Sequence, residues 1–121
     1  MLVKTQCTLI STGTELSILS GEFAPGSAWS AYGRFPFRPG YDNVGVVVEA
    51  GREVDRDWIG RTVCSYGPHA AYFTLTPGAV YPPPPDGVLN EQAVFFTLAE
   101  IAMIGIRRSG VQIGEAVAIY G

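Results

Sequence analysis

The alternation of apolar and polar residues along the chain predicts short strands first and a helix later. Residues Leu2 to Ile10 alternate loosely, with Val3, Thr5, Cys7 and Leu9 interleaved among Leu2, Lys4, Gln6 and Thr8, the period of a strand. Ser11–Glu15 is a polar turn in which Thr14 can cap a short helix running to Ser20. Residues 21 to 40 hold four glycines, three prolines and the aromatics Phe23, Trp29, Tyr32, Phe35 and Phe37, which predicts a long loop. Val44–Ala50 is a valine-rich strand closed by Gly51, a turn leads into Thr62–Tyr66, and a second short strand runs Ala70–Thr76. From Asn90 the period changes. Val94, Leu98, Ile101 and Gly105 fall on one helical face, widened by Phe95, Ala102 and Ile106, so one helix is expected over Glu91–Arg108. Asn90 is its expected N-cap and Gly110 its stop. Ala116–Tyr120 then reads as a buried strand running into Gly121. The order of elements gives a mainly β, α+β fold with one long helix.

Composition narrows the classes. With 121 residues and 47% apolar content, the chain can bury a core, so disorder is not its default state. Eight basic and eleven acidic residues leave a net charge of −3 and no basic run, which argues against nucleic acid and anionic membranes as partners. Val44–Val48 and Ala93–Ile106 fall short of the ~20 apolar residues of a membrane helix. Met1–Thr5 lacks the features of a signal peptide, and Cys7 and Cys64 are too few for a disulfide framework. A cytoplasmic setting is expected. Cys7, Cys64 and His69 are too scattered to suggest a metal site, and both cysteines read as small core residues. Pro82–Pro85 is either a stiff connector or a Pro-x-x-Pro ligand.

Three segments carry a resemblance when taken in order: Ile10–Leu16 (ISTGTEL), Pro39–Gly51 (PGYDNVGVVVEAG) and Arg107–Gly121 (RRSGVQIGEAVAIYG). Together they resemble the medium-chain dehydrogenase/reductase superfamily, the relatives of zinc-type alcohol dehydrogenases. The resemblance implies a GroES-like, partly open β-barrel carrying substrate and catalytic groups, here residues 1–115. It also implies a Rossmann domain for NAD or NADP, of which 116–121 would be the first strand. Gly121 would be the first glycine of the Gly-x-Gly-x-x-Gly fingerprint, whose grip on pyrophosphate needs residues beyond it. On this reading the chain is most of one domain and the beginning of another. Its helix and last strand would be left bare, favouring self-association, and a homo-oligomer is expected.

The resemblance also locates the places of the catalytic zinc ligands. They fall on Thr12, Tyr41 and Thr97, where zinc relatives carry thiolate, imidazole or carboxylate donors. No zinc is therefore expected, as in the branch similar to bacteriochlorophyllide-a dehydrogenase. Thr14 matches the hydroxyl that relays the substrate proton. Tyr41 can donate to an oxyanion or act as general acid, or it can simply fill the space of a metal. Asp42 is a further candidate catalytic group, its other reading being a local hydrogen-bond partner. Thr12, Trp29, His69 and Thr97 are the candidate substrate contacts, with His69 alternatively a turn residue, and Gly121 the cofactor contact. The function implied is hydride transfer between a nicotinamide and an alcohol, carbonyl or enone-type small molecule. A non-catalytic GroES-like binding module is the alternative, and a co-chaperonin would leave Arg107–Gly121 without a role.

Overall fold

The computed structural model describes residues 1–81 and 83–120. The chain runs β1 (Leu2–Thr8), α1 (Thr12–Ser20), α2 (Ala28–Tyr32), β2 (Asn43–Glu49), β3 (Thr62–Ser65), β4 (Tyr72–Thr74), α3 (Asn90–Ala93) and α4 (Phe96–Ser109), with single 3-10 turns at Arg56–Trp58 and Pro77–Ala79. The four strands form one antiparallel sheet in the order β3-β2-β1-β4. Where the resemblance implies a partly open barrel, the described residues form an open sheet. Its outer strands, β3 and β4, have four and three residues, and β3 is extended only by an isolated bridge from Cys64 to Tyr81.

The valine run of β2 explains where the core lies. Val44 and Val47 are both fully buried, and an odd spacing puts them on opposite faces of the strand. Val47 packs with Val3 and Val63 under Met1, Trp58, Phe73, Leu75 and Val80. Val44 packs with Cys64, Ala93 and Val94 beside Cys7, Leu9, Tyr81 and Phe96. A strand covered on both faces reads as a continuous apolar run rather than an alternating one. Both cysteines sit in strands, Cys64 in the core and Cys7 half-buried against it, and burial pushes both thiols up from their ordinary range.

Several local expectations are corrected. Helix α1 begins at Thr12 rather than Thr14, with Ser11 at the N-cap. No side chain caps it there; instead the Glu15 carboxylate accepts from the Ser11 N–H at 2.9 Å. The long loop contains α2, capped by the Ser27 hydroxyl. The single long helix is two. α3 starts at Asn90, with Leu89 at the N-cap position, and ends at Ala93, and a turn at Val94–Phe95 re-aims the chain into α4. The break seats Phe96 in an aromatic cluster with Tyr66 and Tyr81, its ring centroid 5.9 and 5.0 Å from theirs. The strand expected at Ala116–Tyr120 is not formed: the segment is exposed and paired with nothing among the described residues. Gly121 and Pro82, both named in the sequence reading, lie outside the described residues. Pro83–Pro85 line a groove with Cys64, Tyr81 and Phe96, as a connector packed on the body does. Among the described residues no helix is long and apolar enough to cross a membrane.

Candidate functional site

The site is built where three chain segments meet: the first turns of α1, the Pro39–Asn43 entry to β2, and the turn at Pro68–Ala70. The last two are stapled by backbone and amide hydrogen bonds. The His69 N–H donates to the Pro39 carbonyl at 2.9 Å, and Asn43 Nδ2 donates to the Pro68 carbonyl and to Thr5 Oγ1, both at 3.0 Å. Gly40 permits the approach. Its φ is +102°, and a Cβ there would run into the His69 backbone nitrogen.

This arrangement brings Tyr41 to α1. The Tyr41 hydroxyl donates to Thr14 Oγ1 at 3.5 Å, a long contact between two hydroxyls that are each free to turn toward a third partner. Thr14 also lines a hollow of about 570 Å³ with Gly13, Ser17, Phe23 and Trp29. Trp29 is 48% exposed, stacked against Phe23 on one side and edge-on to Tyr32. The aromatics of the long loop thus pack on one another, and Trp29 does so while facing the hollow that holds Thr14.

Asp42 and Thr97 meet deeper in. Asp42 is 0% exposed, and Thr97 is buried in the first turn of α4. Neither carboxylate oxygen of Asp42, nor the Thr97 hydroxyl, completes a hydrogen bond. Burial pushes the Asp42 carboxyl above the usual carboxylate range. The Thr97 hydroxyl and amide, close by but outside full bonding geometry, oppose this; the Glu15 charge adds to the rise and His69 opposes it. The break before α4 is what delivers Thr97 to this carboxylate, at a helix N-terminus where negative charge is favoured.

A consequence for stability follows from the direction of that shift. The folded protein gives up the Asp42 proton at a higher pH than the unfolded chain, which releases it above about pH 3.9. The destabilisation this causes grows as pH rises from there through the folded value. Asp42→Asn removes the titration, so the variant is expected to melt above the wild type at neutral pH, with the difference shrinking as pH is lowered toward 4. Thermal unfolding of both proteins across that range checks it, and a difference independent of pH contradicts it.

His69 lies beside Glu15, a residue the sequence reading left without a role. His69 Nε2 stands 3.1 and 3.0 Å from the two Glu15 oxygens. The two partners are 54 positions apart in the chain, and nothing in the sequence points to their meeting. Thr12 is not brought to this cluster. It is exposed at the start of α1, over a separate apolar hollow with Ile10, Leu16, Leu19, Phe35 and Phe37. Glu100, in turn, accepts from the Tyr66 hydroxyl at 3.1 Å at the exposed edge of α4.

The implied zinc does not fit these residues. Thr12, Tyr41 and Thr97 offer neutral oxygens in place of thiolate, imidazole or carboxylate, and among the described residues no group of three His, Cys, Asp or Glu side chains could hold a metal.

No model of a known protein family matches the chain, and no solved structure matches it. Over 87 residues, 70% of its length, the chain is similar to D-guloside 3-dehydrogenase from Shigella flexneri and from Escherichia coli (strain K12), at 31% identity to each. The matched stretch spans about a quarter of the length of those relatives, 25% in each case.

Proposed function

We propose that this chain is the substrate-side part of an oxidoreductase of the medium-chain dehydrogenase/reductase superfamily, dependent on NAD or NADP and independent of zinc. Its reaction is hydride transfer between a nicotinamide and a carbon bearing an alcohol or carbonyl. The likeness to a D-guloside 3-dehydrogenase favours a secondary alcohol on a sugar ring as that carbon. The observation that carries the proposal is the Tyr41–Thr14 hydroxyl pair, of which Thr14 lines a hollow walled by Trp29. A ring with an apolar face and hydroxyl edges suits such a wall, the face against the indole and the hydroxyls toward Thr14.

In the reductive direction the Tyr41 phenol donates a proton to the substrate oxygen as that oxygen gains negative charge. Thr14 steadies the phenol and passes a proton back to it, taking one in turn from water in the hollow it lines. In the oxidative direction the same two hydroxyls carry the substrate proton outward, each accepting one and releasing one. Asp42, fully buried beside Thr97, does not touch substrate. A bound nicotinamide supplies the hydride acceptor or donor. The apolar side chains left exposed along α4, among them Leu98, Ile101, Ile104 and Ile106, support association into a homo-oligomer.

The test is turnover by the full-length protein. Offered methyl glycosides with NAD or NADP, it is expected to form reduced nicotinamide, and prior treatment with a strong zinc chelator leaves the rate unchanged. Absence of turnover with either dinucleotide counts against the reading. Activity that is lost on chelation and restored by zinc overturns its metal-free part.

A further inference from the structure

We infer that His69 is a positioning residue of this site: gripped by Glu15, it fixes the first turns of α1 so that Thr14 stands opposite Tyr41. The inference rests on the oxidoreductase reading for its kinetic consequence but not for its geometry.

The turn that carries His69 belongs to the body of the sheet. Its Pro68 carbonyl accepts from Asn43, its His69 N–H donates to Pro39, and its Ala70 carbonyl accepts from the Thr5 hydroxyl at 2.5 Å. Helix α1, by contrast, is lightly held. Of its nine residues only Ile18 is buried, and its C-terminal cap is a single left-handed Gly21. Packing alone therefore leaves the N-terminal end of α1 with little to define its rotation.

The Glu15–His69 pair supplies that definition. Its side chains are 14% and 19% exposed, so the pair is mostly withdrawn from water and is screened less than a surface ion pair. Both carboxylate oxygens lie within 3.1 Å of one nitrogen, and Oε1 also accepts from the Ser11 N–H. One carboxylate thus ties the helix start to itself and to the sheet at once. Successive helix positions are turned by about 100°, so fixing the direction of Glu15 fixes that of Thr14 next to it. With Nε2 engaged by the carboxylate, His69 Nδ1 is buried without a partner, so the imidazole is committed to Glu15 alone. His69 touches neither hydroxyl of the pair, and its effect on them runs through the helix.

The experiment uses full-length protein carrying His69→Ala, His69→Phe or His69→Gln. The phenylalanine keeps ring volume against Gly40 but offers no hydrogen bond, and the glutamine restores an N–H donor toward Glu15. Two readouts are taken. In turnover, Ala and Phe are expected to lower kcat by about tenfold to a hundredfold with KM little changed, the size of a misplacement near one ångström, and Gln to recover most of it. By NMR, the nuclear Overhauser contact between the Tyr41 ring and the Thr14 methyl is expected to weaken in the Ala and Phe variants and return in Gln, while circular dichroism stays that of the wild type. Wild-type kcat in folded His69→Phe overturns the inference, as does an unchanged Thr14–Tyr41 contact. If the wild type turns over no glycoside, the oxidoreductase reading fails, and the NMR result still decides the positioning role.

Discussion

Tyr41→Phe is expected to lower kcat of the full-length protein by about two to three orders of magnitude, the effect of removing one donor from a developing oxyanion. KM is expected to change little, because the interaction is made in the transition state and not with the bound alcohol or ketone. The substitution is suited to separating the two roles this residue can have. Phenylalanine fills the same space beside Gly40 and α1, so a Tyr41 that merely occupies room is replaced without loss. What disappears is one oxygen, whose contact in the structure is a 3.5 Å approach to Thr14 Oγ1. A bond that long contributes little to folding, so the variant is expected to unfold at the wild-type midpoint. A rate loss without a stability loss assigns the phenol to the chemistry. Retention of full kcat with unchanged stability assigns it to filling space and removes the central support for the proposed function.

Which parts of this architecture were legible depends on how local their causes are. The valine run at 44–48 announces β2 because a strand covered on both faces has no polar positions to interrupt it. The apolar period from Val94 onward announces helix, since period is a property of neighbours three and four apart. The break at Val94–Phe95 is invisible to the same pattern. It follows from where Phe96 and Thr97 have to go, against Tyr66 and Tyr81 on one side and Asp42 on the other. Ala116–Tyr120 fails as a strand for a related reason: a strand is defined by the ladder beside it, and five apolar residues cannot supply their own partner. At the site, Tyr41 and Thr14 were legible as a pair only through the resemblance, which pointed to both without saying that they touch. The Glu15–His69 contact left no trace in the sequence, because a pair 54 residues apart has no period and no motif.

Gly40→Val is expected to produce the largest loss of stability of any single substitution considered, about 3 kcal/mol or more. Two independent costs combine there. The φ of +102° lies in a region that a β-branched side chain rarely enters. The position a Cβ would take is already filled by the His69 backbone nitrogen, with the Pro68 carbonyl carbon 2.8 Å away. Backbone cannot yield as a flexible side chain does. Relief therefore requires the Pro39–Asn43 entry to part from the Pro68–Ala70 turn. That motion breaks the His69 N–H bond to Pro39 and the Asn43 bridge to Pro68, and leaves the amide of a fully buried asparagine with only its Thr5 partner. A domain whose whole stability is about 5–15 kcal/mol, with two small clusters for a core, has little reserve against this. Gly51→Ala is the matched control: its φ is not in the left-handed range and a Cβ there meets nothing within 4 Å. Denaturant unfolding of the two variants is expected to show a midpoint near the wild type for Gly51→Ala and a much lower one, or no folded baseline, for Gly40→Val. Equal midpoints contradict the close approach of these two segments, and with it the framework that places Tyr41 against Thr14 and His69 against Glu15.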